Sequence, residues 1–177
     1  PEAWGDVAAA MYTGFDPETG LFEQFRGYDA LEEVDLAAYD LRSGPADVLL
    51  GRERTRRSKV IKQADVVLLL YLLWDRFTPE VRRANFQYYE PRCAHGSSLS
   101  PSIHALVAAR LGEVEMARRY FRQAAEIDLA NNMGNAAGGV HGAALGGLWQ
   151  ATVFGFAGLP FGQNGPRLDP HLPPGWR

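Results

Sequence analysis

Residues 99–131 read LSPSIHALVAARLGEVEMARRYFRQAAEIDLAN, and this stretch decides the fold class. Ser100-Pro101 is a helix-start signal, because proline's fixed φ and missing N–H suit a first turn. Gly112 supplies a stop just after Leu111. A second helix follows from Glu113 to Leu129, with Met116, Ala117, Phe121, Ala124, Ala125 and Ile127 at helical spacing and arginines opposite. The two make a helical hairpin whose Leu-Gly…Ala…Phe…Ala spacing matches a tetratricopeptide unit. Nothing else in the chain repeats it, and such solenoids need about three copies to bury a core. A generic helix pair is the better reading. A noncatalytic interaction module, taking a peptide on the Glu113–Leu129 face, is the alternative from another class.

Outward from the hairpin, helices dominate from Ser58 onward. Ser58 reads as the N-cap of a helix from Lys59 to Phe77 whose centre, Val66 to Trp74, is apolar on every side apart from the Tyr71 hydroxyl. Such a helix is expected to be buried, and it is too short for the ~20 residues of a bilayer span. Thr78-Pro79 restarts a helix that Pro91 ends. After the hairpin come an Asn/Gly-rich loop, residues 131–139, and a last helix from Val140 to about Phe156. Residues 129–166 contain no Asp, Glu, Lys or Arg. Gly138, Gly142 and Gly146 at i, i+4 spacing there resemble a membrane packing face. His141, Gln150 and the lack of a basic flank point instead to a buried inner helix. Residues 1–57 are the least periodic part. Asp6 to Met11 closes a helix, Asp16–Gly20 is a turn, Phe22, Phe25 and Tyr28 follow in loop structure, and Ser43-Gly44-Pro45 is a further breaker.

The chain of 177 residues is 46% apolar and 22% charged, which excludes global disorder. Eighteen basic against twenty-one acidic side chains leave no surplus to release counterions from nucleic acid. One cysteine, Cys93, excludes an internal disulfide or a Cys-based zinc cluster. No charged-then-apolar leader is present, so a cytoplasmic location is expected, away from membranes. A start on Pro1 and a stop at Arg177 suggest a piece of a longer protein.

The stretch Tyr89-Glu90-Pro91-Arg92-Cys93-Ala94-His95-Gly96-Ser97-Ser98 sets an imidazole, a glycine and hydroxyls immediately before a helix start. The unpaired N–H groups of a first turn, with the positive end of the helix dipole, suit an oxyanion. Ser97 and Ser98 can donate to phosphate oxygens, and His95 can donate or add charge. A serine-rich cap without a ligand fits the same residues. Lys62 and Gln63, beside an apolar run, either meet the hydroxyls of a sugar or reach solvent. The chain has only two lysines, Lys59 and Lys62, which makes the second more noticeable. His141, in the charge-free segment, is a core residue or a ligand. No HExxH spacing or carboxylate cluster accompanies His95, His104 and His141, so no metal is expected. Cys93 reads as a buried, inert thiol.

Lys62-Gln63-Ala64-Asp65-Val66, then Tyr89-Glu90-Pro91-Arg92…His95-Gly96-Ser97-Ser98-Leu99-Ser100, then Gly139-Val140-His141…Ala144-Leu145-Gly146-Gly147-Leu148-Trp149-Gln150 resemble glycoside hydrolase family 65. That family holds maltose, trehalose, kojibiose and nigerose phosphorylases, with some hydrolases. The resemblance runs from the Phe25-Gly27-Tyr28 region to the Leu168-Asp169-Pro170 tail. It implies an all-α chain forming part of an (α/α)6 barrel over residues 1–157, with 158–177 leading towards a C-terminal β-sandwich. It implies that Lys62 and Gln63 hold the glucosyl unit, and that His95, Gly96, Ser97, Ser98 and His141 bind phosphate. The implied reaction is inverting phosphorolysis of an α-glucoside disaccharide to β-glucose 1-phosphate, with inorganic phosphate as co-substrate and no cofactor. The general acid, a glutamate, is expected upstream of Pro1, so the chain alone is expected to be inactive. Expected partners are the disaccharide, phosphate, the rest of the polypeptide or a complementary chain, and further copies in a homo-oligomer. Cys93 departs from the family pattern, which has threonine there. A trehalase-like hydrolase is the alternative within the family and would need a carboxylate in place of Ser97 and Ser98.

Overall fold

The computed structural model describes residues 2–39, 46–159 and 168–176. The Ser43-Gly44-Pro45 breaker and residues 160–167 of the tail lie outside them. The chain is all-α. Its helices are α1 (Glu2–Ala10), α2 (Ala46–Leu50), α3 (Arg52–Arg56), α4 (Asp65–Leu72), α5 (Pro79–Tyr89), α6 (Ser100–Arg110), α7 (Val114–Leu129) and α8 (Gly142–Gln150). Pairing between extended segments is confined, among the described residues, to three isolated β-bridges.

The hairpin forms as read. α6 and α7 pack along their length, with Gly112 at φ 81 turning the chain between them. α6 is the innermost element: every residue from Ser100 to Ala109 is buried. It is enclosed by α4, α7, α8 and the π-helical turn Ala151–Phe156 that continues α8. Ser100 does not cap it from outside, as the sequence suggested. Leu99 is the N-cap and Ser100 lies within the first turn, where its hydroxyl donates to the Ser97 carbonyl at 3.2 Å. α5 starts as expected, with the Thr78 hydroxyl accepting from the Val81 N–H.

The helix expected over Lys59–Phe77 is much shorter. α4 spans Asp65–Leu72, and Ser58 does not cap it, since its hydroxyl donates to the Thr55 carbonyl at 3.0 Å. Residues 58–64 are instead held by neighbouring backbone: Lys59 N–H donates to Glu32 C=O, Ile61 N–H to Arg92 C=O, and Ala94 N–H to Ile61 C=O. Tertiary hydrogen bonds thus outcompete helix propensity there. Nor is this apolar run buried all round: Val66, Val67, Leu70 and Tyr71 are, whereas Leu72 and Leu73 are exposed.

A buried amide helps attach the irregular N-terminal third. Fully buried Asn85 on α5 accepts from Phe22 N–H at 2.9 Å and donates to the Gly20 and Val81 carbonyls at 2.7 and 2.8 Å. Tyr89 adds a hydroxyl bond to the Phe22 carbonyl. Asn85→Ala orphans the Phe22 and Gly20 groups, so it is expected to cost the intact protein about 2–3 kcal/mol. Chemical denaturation would check this; a loss below roughly 0.5 kcal/mol would show that the amide is dispensable.

Candidate active site

The parallel bridge between Ile61 and Cys93 brings together two motifs about thirty residues apart in sequence. Lys62 and Gln63 leave that bridge on one strand as Ala94 and His95 leave it on the other. Lys62 and Gln63 are exposed and line an open hollow of about 530 Å³ with Gln24, Tyr28, Arg56 and Asp65. Gln24 donates to the Asp65 carboxylate at 2.7 Å, and Tyr28 fixes the Lys59 carbonyl at 2.5 Å. Burial pushes the Tyr28 hydroxyl far above the ordinary phenol range, so it stays a neutral donor. Lys59, by contrast, pairs with Glu33 at 3.6 Å.

A second hollow, of about 330 Å³, lies where α6 begins and α7 ends. It is lined by His95, Ser97, Pro101, Gln123, Ile127, Asn132 and Met133. Gly96 and His95 are buried, while Ser97 and Ser98 are half-buried. The Ser97 hydroxyl accepts from Leu99 N–H at 3.3 Å. His95 has φ 50, a conformation rare for any residue but glycine. Its ring is held by Ser100 Oγ at 3.1 Å and Cys93 Sγ at 3.7 Å.

His141 sits at the N-cap of α8, tied to the end of α7. Asp128 accepts from the His141 backbone N–H at 2.8 Å and contacts its Nδ1 at 2.6 Å. A carboxylate can only accept, so Nδ1 carries a proton and Nε2 is the nitrogen turned to other partners. Asp128 follows Ile127, which lines the second hollow, so His141 stands at the same end of the hairpin as Ser97. The two hydrogen bonds from His141 hold the Asp128 carboxyl below the usual range. A depressed carboxyl contributes stability above its unfolded pKa of about 3.9, lost as pH falls through the folded value. Asp128→Asn should therefore lower the melting temperature at pH 6–7, with the gap to wild type closing as pH falls below the ordinary carboxylate range. A gap that stays equal as pH falls would show that the pair is not what stabilises the loop.

Sequence spacing missed two features. Cys93, His95 and His104 are buried, with one heteroatom of each within 4.8 Å of the others. His104 belongs to this group because α6 carries it over the 93–95 segment, which no spacing motif could announce. The second is Glu90, buried just after α5, which accepts from Tyr120 OH at 2.5 Å and pairs with Arg119 at 3.4 Å.

The model of the glycosyl hydrolase family 65 central catalytic domain matches residues 1–150. The chain belongs to family 65. It is 40% identical over 173 residues to a kojibiose phosphorylase of Halothermothrix orenii, covering 98% of this chain and 22% of that protein. It is 41% identical over 184 residues to a 1,2-alpha-glucosylglycerol phosphorylase of Bacillus selenitireducens, covering 98% and 24%. A solved candidate kojibiose phosphorylase from the human microbiome superposes with a TM-score of 0.85 at 34% identity, over 94% of this chain and 24% of that one. The chain thus spans under a quarter of the length of these family 65 relatives. No helix among the described residues is long and apolar enough to cross a membrane.

Proposed function

We propose that this family 65 chain is part of an inverting α-glucoside phosphorylase, which converts a disaccharide and phosphate to β-glucose 1-phosphate and a free sugar. The named relatives, kojibiose, maltose and glucosylglycerol phosphorylases, support the reaction class. The observation that carries it is the lining of the second hollow: serine, histidine and amide side chains beside apolar Pro101, Ile127 and Met133, with no carboxylate among them. An inverting hydrolase needs a base to activate water opposite the leaving group. Phosphate is already an anionic nucleophile, so donors that hold it replace the base. A carboxylate there would repel it, as a trehalase-like hydrolase would require.

In this reading Lys62 and Gln63 hold the glucosyl hydroxyls. The segment His95–Ser98, with His141 facing it from α8, forms the phosphate cradle. Lys62 carries charge to the sugar side, and the bridge at Ile61 and Cys93 keeps the two subsites in register. The general acid, the remaining barrel helices, a C-terminal domain following residues 158–177 and further copies of the protein complete the enzyme.

The test is turnover of kojibiose and maltose by the intact protein with and without phosphate, with the product's anomer followed by proton NMR. Phosphate-dependent release of the β-phosphate is expected; phosphate-independent release of glucose refutes the reading. Ser98→Ala should raise the KM for phosphate roughly tenfold and the KM for disaccharide less than twofold, because it removes a donor to one substrate only. Equal rises would return Ser98 to a capping role.

A further inference from the structure

The His95 ring turns into the core, where its contacts form a relay. Ser100 Oγ donates to the Ser97 carbonyl at 3.2 Å. With its one proton given to that carbonyl, the same oxygen accepts from His95 Nδ1–H at 3.1 Å. The relay runs from His95 Nδ1–H to Ser100 Oγ–H to the carbonyl of Ser97, and it closes the loop 95–100 on itself. The Ser97 carbonyl and the Ser98 N–H belong to one trans peptide and point in opposite directions. Pinning that carbonyl against buried Ser100 therefore turns the Ser98 N–H away from the core.

The ring itself is over-determined. It packs edge-on against His104, with ring centroids 4.6 Å apart, and tilted against Tyr120 at 4.7 Å. His104 is fixed in turn, its Nδ1 donating to the Ser100 carbonyl at 2.9 Å, and Tyr120 is fixed by Glu90. These contacts offset the left-handed backbone of His95, a strain that persists only where the surroundings enforce it. That backbone turns the chain from buried His95 and Gly96 to half-buried Ser97 and Ser98.

We propose that His95 is a positioning residue of the phosphate cradle, not a ligand of the anion: through Ser100 it fixes the Ser97 carbonyl and so aims the Ser98 amide. This rests on the phosphorylase reading above and assigns a part within it. Glu90, Tyr120 and His104 support the ring from behind, and the anion is met by Ser97, Ser98, their amides and His141.

The test uses the intact enzyme. Ser100→Ala keeps the His95 imidazole but cuts the relay; His95→Asn keeps a side chain tolerant of positive φ but removes the ring. Both are expected to raise the KM for phosphate by a similar factor, roughly tenfold, with the KM for disaccharide within twofold. Histidine nitrogen NMR should show His95 as the Nδ1–H tautomer, unchanged when phosphate is added. That measurement decides the matter even if a variant fails to fold. A Ser100→Ala enzyme with unchanged phosphate KM beside an impaired His95→Asn enzyme overturns the proposal, as does a shift of the His95 ring nitrogens on phosphate binding. Equal losses for both substrates also overturn it, since the relay would then support the whole site. A wild type whose turnover ignores phosphate refutes the phosphorylase reading itself and this assignment with it. Phosphate dependence with an intact Ser100→Ala refutes the relay alone.

Discussion

Lys62→Ala in the intact enzyme is expected to lower kcat/KM for the disaccharide between ten- and a hundredfold while leaving the melting temperature within about a degree. A hydrogen bond from a charged donor contributes about 1.5–3 kcal/mol, and each 1.4 kcal/mol at the transition state is a factor of ten. The fold should tolerate the change, because the side chain is exposed and the segment's register is set by backbone bonds from Ile61 to Arg92 and Ala94. Lys59→Ala is the control. Its ammonium pairs with partly exposed Glu33, and its fixed carbonyl survives the substitution, so kinetics within twofold of wild type are expected. Steady-state rates at varied disaccharide would decide between them. A Lys62→Ala enzyme with undiminished kcat/KM would place that lysine outside the sugar site.

The contrast between the two lysines shows where sequence was informative. Signals that act locally were read well. Thr78-Pro79 starts α5, Pro91 ends it, Gly112 breaks the hairpin, and the apolar stripe of Glu113–Leu129 becomes α7. Each depends on φ, a missing N–H or helical spacing, and a neighbour of a few residues is enough to fix it. The reading failed where a distant backbone competed. Residues 59–64 carry good helix formers, yet they are drawn into extended contact by Glu32 and by the Arg92–Ala94 segment. The pairing that spoils the helix is also what brings Lys62 beside the His95 segment, so the error fell where the candidate site is assembled.

The candidate site was legible as motifs and not as geometry. Family resemblance supplied Lys62, Gln63, the His95–Ser98 segment and His141, but it could not say which atoms face which. That His141 is oriented by Asp128, thirteen residues away across the loop, follows from the hairpin's end and from no pattern in the chain. Glu90 and Tyr120 meet only because α5 and α7 converge on α6. Serine counting likewise took Ser100 for a cap, whereas its hydroxyl is buried and shared between an imidazole and a carbonyl.

The glycines of α8 carry a stability effect opposite in sign to helix propensity. The stripe at Gly138, Gly142 and Gly146 suggested a packing face, but a Cβ at any of the three meets nothing within 4 Å in this chain. The close approach is at Gly147, where a Cβ would lie 2.2 Å from Ser102 Oγ and 2.8 Å from Ser102 Cβ. Gly155, two turns on, comes within 3.1 Å of the Leu106 backbone by the same measure. The two glycines therefore let α8 and its π-helical continuation seat against α6, the most buried helix. In an ordinary helix interior, Gly→Ala stabilises by about 0.8–1 kcal/mol. Here the sign should reverse. Gly147→Ala forces Ser102 or the helix to move, and overpacking costs about 1–3 kcal/mol, so the intact protein should lose stability and Tm should fall. Rotating the Ser102 hydroxyl does not relieve the clash, because the second contact is with its Cβ and that hydroxyl already donates to the Leu99 carbonyl at 3.1 Å. Ser102→Gly removes both atoms. In a double-mutant cycle the pair should recover most of the loss, with a coupling of about 1 kcal/mol or more. Simple additivity would mean that α8 does not sit against α6 at this point.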